Sequence, residues 1–181
     1  NILNAVAAIS VCLNLGIKIK IIKKALLKFT GVQRRMTKIF EKSENVFYDD
    51  YAHHPTEIKV VLEGVNKVYK DYHKVCIFQP HRISRLKDLR KEFSFAFREA
   101  DTVVLCPIYT AGEKIKLGFN YIKFAKEIIK NSKVKLFLVS DNIELAKFIK
   151  KNMYGRKIVI GMGAGSISNW MRKLPQLMQW K

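Results

Sequence analysis

A mostly parallel α/β sheet with helices on both faces is the fold class that the sequence predicts. Three observations predict it. Short runs of β-branched and aromatic residues, among them Val46-Phe47-Tyr48 and Val75-Cys76-Ile77-Phe78, alternate with amphipathic helical stretches through most of the chain. The helical stretches open on start signals: Pro55, Asp141 with Glu144 three positions on, and Ser166 after a glycine-rich turn. Helix-length connections between strands require right-handed crossovers, which join parallel neighbours. With 181 residues, 49% of them apolar, the chain is long enough for one good core plus a smaller piece.

In chain order, residues 3–15 and 18–29 read as two helices separated by Gly16, the second setting Ile17, Ile21, Ile22, Ala25, Leu26 and Phe29 against a lysine face. This pair has no sheet of its own. Thr30-Gly31-Val32 ends the helical pattern, so residues 1–30 are predicted as a separate helical piece and residues 31–181 as the α/β domain. Strands are predicted at about 37–42, 45–49, 74–79, 102–107, 134–139 and 157–161, the first two forming an antiparallel hairpin. After Pro55, a good first-turn residue, Ile58, Val61, Val65, Val68 and Tyr72 recur at helical spacing. One helix after Arg85 carries Leu86, Leu89, Phe93 and Phe97 on one face, and others cover about 120–130, the residues after Asp141, and those from Ser166.

Charge narrows the classes of partner. The chain has 34 Lys and Arg against 15 Asp and Glu, a formal net charge of +19, enough to attract nucleic acid or an anionic membrane. Its lysines, however, spread along polar helical faces (Lys18, Lys20, Lys23, Lys24, Lys28; Lys123, Lys126, Lys130) and are not interleaved with exposed aromatics. No nucleic-acid partner is expected; a basic binding module is the alternative, which a steep loss of affinity with salt would support. Cys12, Cys76 and Cys106 each sit in an apolar run and read as buried thiols of a reducing, cytoplasmic compartment, with no disulfide or metal framework. The apolar run from Ile2 to Leu15 falls short of the ~20 residues of a membrane span and has no basic flank ahead of it, so neither insertion nor a signal peptide is expected. The chain opens inside a helical pattern without Met, and reads as a piece of a longer polypeptide.

Three of the four histidines lie in two segments, Asp49-Asp50-Tyr51-Ala52-His53-His54-Pro55-Thr56-Glu57 and Phe78-Gln79-Pro80-His81-Arg82-Ile83-Ser84-Arg85. Each segment follows a predicted strand, and ligands of open α/β sheets bind beyond the carboxyl ends of strands. One crevice lined by both would suit an anionic substrate and a phosphorylated cofactor. Asp50 has two readings, an acceptor for a ribose hydroxyl pair or a cap on the turn. His53 and His54 are adjacent, point in different directions and lack a third ligand at metal-binding spacing, so no metal site is expected. A neutral imidazole that accepts a proton or a hydrogen bond fits better. Arg82 and Arg85 are spaced to grip one carboxylate or phosphate, or else to pair with Asp88 or Glu92 on the surface. Arg34-Arg35, beside the domain boundary, would reach into an interdomain cleft. Gly161-Met162-Gly163-Ala164-Gly165 opens a helix, but its spacing is not that of a dinucleotide fingerprint, and tight packing is the favoured reading. No Gly-x-x-x-x-Gly-Lys-Ser/Thr loop occurs, so the chain does not hold a triphosphate in the P-loop manner.

Asn1-Ile2-Leu3-Asn4-Ala5-Val6-Ala7-Ala8, Gly31-Val32-Gln33-Arg34-Arg35, the two histidine segments and Gly163-Ala164-Gly165-Ser166-Ile167 together resemble the C-terminal part of Mur ligases, in order and approximate spacing along nearly the whole chain. The resemblance is greatest to the branch that joins L-alanine to UDP-N-acetylmuramate; Phe78-Gln79-Pro80-His81-Arg82 disfavours the branch that recycles muramyl tripeptide, the nearest alternative. It implies a Rossmann-like C-terminal domain (31–181) behind the truncated helical end of a central ATPase domain (1–30). It also implies an ATP- and Mg²⁺-dependent amide ligation through an acyl phosphate in cytoplasmic peptidoglycan synthesis. Carried over by position, Asn1 would lie against adenine, and Arg35 and Asp50 would contact the ribose side of the nucleotide. Tyr51, His53, His81, Arg82 and Arg85 would line the amino-acid site, with Arg82 and Arg85 recognising carboxylate and His53 orienting or deprotonating the amine. Ile83 stands where a tyrosine is frequent. The UDP-binding domain, the P-loop and the Mg²⁺ ligands are not in this sequence, so the chain alone is expected neither to hydrolyse ATP nor to form amide bonds.

Overall fold

The computed structural model describes residues 2–113 and 119–179 and forms two compact units, Asn1–Val32 and Gln33–Lys181. In the first unit α1 (Ile2–Asn14) and α2 (Ile19–Leu27) are separated by Gly16, whose φ of +76° is the left-handed conformation that commonly ends a helix. No residue of α1 is buried, and Ile2, Leu3, Leu15 and Leu27 are more than 70% exposed. Among the described residues, no helix is long and apolar enough to cross a membrane.

The second unit is built on six strands: β1 (Thr37–Lys42), β2 (Asn45–Asp50), β3 (His73–Phe78), β4 (Thr102–Leu105), β5 (Lys135–Leu138) and β6 (Lys157–Met162). The expected fold class is borne out. β1 and β2 form the antiparallel hairpin, every other pairing is parallel, and the sheet order is β1-β2-β6-β3-β4-β5. The last strand in sequence therefore lies between β2 and β3, pairing Asp50 with Met162 on one side and Phe78 with Met162 on the other. The two histidine segments leave the sheet from strands once removed, with the tip of β6 between them.

Helices cover both faces, as a sheet buried on two sides requires. On one face Cys76, Phe78, Val103, Leu105, Ile158 and Ile160 pack beneath α3 (Pro55–Val68), α5 (Arg90–Phe95) and α6 (Tyr121–Ser132), where Phe78 meets the rings of Phe93 and Phe97 at 5.7 and 5.3 Å. On the other, Phe47, Val75, Ile77, Val104 and Val159 meet Leu145 and Ile149 of α7 (Asn142–Asn152) and Met171 and Leu174 of α8 (Ile167–Leu177).

Two helices differ from expectation. The single helix predicted after Arg85 is two, α4 (Ile83–Asp88) and α5, broken at Leu89 with φ −111° and ψ 25°. No glycine or proline marks the break; the bend accompanies the burial of Phe93 and Phe97 together against Phe78. α3 stops at Val68 because Tyr69 leaves the helical conformation, its hydroxyl lying 2.6 Å from that of Tyr48.

Candidate active site

The carboxyl ends of β2, β3, β4 and β6 converge on one rim of the sheet. At the end of β2, Asp50 is buried and its two oxygens accept the amides of Met36 and Ala52, both at 2.8 Å. Burial raises its carboxyl above the ordinary value, against the opposing pull of those amides and of Arg35. The side chain ties the chain entering β1 to the turn leaving β2, the geometry of a cap on that turn. Neighbouring Asp49 points the other way, to the hydroxyl of Ser168 and, at 3.6 Å, the guanidinium of Arg172.

The next residues start α3. His54 is its N-cap, its Nδ1 facing the amide of Thr56 at 3.4 Å, while Oε2 of Glu57 accepts the amides of His53 at 3.0 Å and His54 at 3.2 Å. His54 is thus occupied by helix capping. His53 turns back instead: its Nδ1 lies 2.9 Å from the Tyr51 carbonyl oxygen and 3.4 Å from Oε2 of Glu57. Its ring stands 5.1 Å from that of Tyr51 and 5.7 Å from that of His81.

His81 arrives from β3 through Gln79 and Pro80. Its ring stacks on Tyr109 at 5.6 Å and 14° between planes, and Nη1 of Arg85 donates to its Nδ1 at 3.2 Å and its carbonyl at 3.3 Å. Burial, and then the neighbouring Arg85, His53 and Arg82, hold the His81 imidazole below its usual value. Arg82 adopts φ +68° and ψ 134°, a conformation rare for a residue with a side chain, while its amide donates to Tyr109 O at 2.9 Å. Among the described residues neither Arg82 nor Arg85 forms an ion pair with Asp88 or Glu92.

Tyr51, His53, His81 and Arg85 are therefore joined by direct ring or hydrogen-bond contacts, with Arg82 beside them on the exposed side. Arg35 is exposed, close enough to act electrostatically on Asp50 and Glu57. Asn1 lies outside the described residues. No group of three or more His, Cys, Asp or Glu suited to a metal occurs among the described residues.

Three more residues complete the arrangement: Arg34, expected to reach into a cleft, and Tyr109 and Glu113, which carried no predicted role. Arg34 sets its guanidinium 4.6 Å from the centroid of the Tyr51 ring and donates to Gly163 O at 2.5 Å. Tyr109 covers His81 from the end of β4. Glu113 accepts the amides of Ile83 at 2.8 Å and Ser84 at 3.1 Å, holding the start of α4. The strand-end rule that singles out β2 and β3, applied also to the loop after β4, would have found the last two.

The glycine-rich turn after β6 is packing, as favoured. A Cβ on Gly163, at φ +147°, would lie 2.7 Å from Gln79 O, and one on Gly165 would lie 2.5 Å from Cγ of Tyr109. Gln79 Oε1 accepts the amide of Ile167 at 2.9 Å, taking up a donor that a phosphate would need.

Comparison with known proteins accords with this geometry. Residues 34–165 match the family described as Mur ligase, glutamate ligase domain. The chain is 65% identical over 178 residues to a UDP-N-acetylmuramate–L-alanine ligase of Pelagibacter ubique (strain HTCC1062), covering 98% of this chain and 38% of that protein. To the protein of the same name in Carboxydothermus hydrogenoformans it is 40% identical over 174 residues, covering 96% of this chain and 37% of the relative. Among solved structures, the UDP-N-acetylmuramate-alanine ligase of Thermotoga maritima superposes with a TM-score of 0.73 at 29% identity, over 99% of this chain and 37% of that one. A murein peptide ligase of Psychrobacter arcticus, at 22% identity and TM-score 0.73, shares the fold. The chain thus spans less than two fifths of the length of these relatives. With residues 34–165, well over half of its length, matched by that family, the chain belongs to the Mur ligase family.

Proposed function

We propose that this chain is the C-terminal portion of an ATP-dependent ligase that joins L-alanine to UDP-N-acetylmuramate in cytoplasmic peptidoglycan synthesis, and that the cluster at the strand ends is its amino-acid site. The observation that carries the reading is the convergence of Tyr51, His53, His81 and Arg85, with Arg82 alongside, on one rim of the sheet. The 65% identity to a relative bearing that enzyme name supports it.

In this reading the muramyl carboxylate is activated as an acyl phosphate, and the amine of L-alanine attacks it. The second step needs a neutral amine held beside the activated carbonyl, and a fixed grip on the amino acid supplies most of that alignment. Arg82 and Arg85 offer guanidinium donors to the alanine carboxylate, and Arg85 is already oriented by His81. His53 takes the amine side, and the Tyr51 and Tyr109 rings form the walls. Arg35, exposed near the start of β1, is the residue suited to the nucleotide, while Asp50 shapes the loop on which the site stands. In this reading the groups that hold ATP, Mg²⁺ and the UDP moiety would lie outside this chain, and α1 and α2 would be the end of a central domain.

The test is a chimera in which this sequence replaces the corresponding region of the Pelagibacter ubique relative. The expected result is ADP release that requires both UDP-N-acetylmuramate and L-alanine, reduced at least about a hundredfold by Arg82→Ala with Arg85→Ala. A folded chimera that is inactive beside an active parent, or one that prefers a muramyl-linked tripeptide, would overturn the assignment.

A further inference from the structure

We propose that Glu57 is a positioning residue that fixes the tautomer of His53 and so leaves its Nε2 as the proton acceptor of the amine site; this rests on the functional reading above. The Tyr51 carbonyl oxygen can only accept, and it lies 2.9 Å from His53 Nδ1. Nδ1 therefore carries the hydrogen. The Glu57 carboxylate, also an acceptor and 3.4 Å from the same nitrogen, favours the same assignment. With Nδ1 protonated, the lone pair of the neutral ring is on Nε2.

The facing imidazole has the opposite form. Arg85 has no acceptor atoms, so the contact of its Nη1 with His81 Nδ1 at 3.2 Å places the lone pair on Nδ1 and the hydrogen on Nε2. Two rings 5.7 Å apart thus present one acceptor and one donor. As the amine nitrogen bonds to the acyl carbon, one of its protons passes to His53 Nε2, and the carbon–oxygen bond to phosphate breaks with its electron pair on the phosphate oxygen. The imidazolium that results is held between the Tyr51 carbonyl and the Glu57 carboxylate, as an oriented carboxylate holds a catalytic imidazole elsewhere.

Glu57 is built for this. Burial would raise its carboxyl, but the amide of His53, the His53 ring, the amide of His54 and Arg35 together bring it below the usual carboxylate value. The charged and titratable groups around His53 are Glu57 and His54 at the start of α3, Tyr51 on its own loop, His81, Arg82 and Arg85 from the segment after β3, and Arg34 and Arg35 before β1.

The experiment is long-range ¹H–¹⁵N correlation spectroscopy of the histidine rings in the 181-residue chain, across pH. The expected result is Nδ1–H for His53 and Nε2–H for His81. Glu57→Gln retains an oxygen for the two capping amides but loses the charge facing Nδ1, so the Nδ1–H form of His53 gives way to Nε2–H while helix content is unchanged. In the chimera the same substitution lowers kcat while the KM for L-alanine holds. An Nε2–H tautomer of His53 in the parent chain overturns the proposal even if the variant fails to fold; so does an unchanged tautomer in a folded variant. If the chimera ligates L-alanine while these spectra fail, only the role of Glu57 falls; correct spectra beside an inactive chimera remove the ligase reading instead.

Discussion

Replacing Gly163 by alanine tests whether the glycine-rich turn is packing. The residue has φ +147°, and a Cβ there would lie 2.7 Å from Gln79 O and 3.2 Å from Cγ2 of Ile167. Gln79 cannot easily retreat: its amide donates to Met162 O at 2.9 Å, and its side chain is held by Ser166 at 3.0 Å and Ile167 at 2.9 Å. The unfavourable backbone conformation costs about 1–3 kcal/mol, and forcing a methyl into a filled site costs about 1–3 more. Adding these, the loss is about 2–6 kcal/mol, a large share of the ~5–15 typical of a domain. With a urea slope of about 1–3 kcal/mol per molar, the unfolding midpoint followed by tryptophan fluorescence drops by at least about 0.7 M. Gly64→Ala is the control of opposite sign. Gly64 lies within α3 with nothing within 4 Å of its added Cβ, so alanine stabilises by roughly 0.5–1 kcal/mol. A Gly163→Ala chain within about 0.5 kcal/mol of its parent would refute the packing argument, since ordinary surface changes are of that size.

The remaining predictions concern titration and thiol access. His81 should titrate below the ordinary imidazole value, because burial and its positive neighbours disfavour the imidazolium; in NMR titrations Arg85→Met moves the midpoint up. The sign for stability follows: an imidazole with a lowered folded value contributes stability above its unfolded value near ~6.5 and loses it as pH falls through that value, because the unfolded chain binds the proton more readily. An unchanged midpoint in Arg85→Met would count against the contact. Cys76 and Cys106 are fully buried, and burial pushes the Cys106 thiol up to about 12 and Cys76 higher still. Under native conditions a thiol reagent at neutral pH should modify the half-buried Cys12 first, the other two reacting only on unfolding.

The strands were the most legible part of the chain. Runs such as Val75 to Phe78 are buried on both faces and so read as continuous apolar segments, and their predicted ends fall within two residues of the observed ones. Their order was not legible. The insertion of β6 between β2 and β3 pairs Lys157 with Asn45, 112 positions away, and with His73, 84 away, and parallel pairing leaves no local mark on either partner. The same distinction runs through the site. Tyr51, His53, His81 and Arg85 stand out because unusual side chains follow strands, and the structure brings those four into contact. Arg34 is legible as half of an arginine pair beside the boundary, but its place over the Tyr51 ring is not. Asp50 and His54 carry functional-looking side chains that the backbone consumes, and only the partners of their oxygens and nitrogens reveal it.

The central position of β6 bears on how the chain is made. Until Met162 has left the ribosome, β1-β2 and β3-β4-β5 have no strand to join them, and both flanks of the future sheet expose main-chain groups and apolar side chains. The half-built domain is then a substrate for chaperones and proteases. A premature stop before Lys157 would leave two separate ribbons rather than a smaller version of the same sheet.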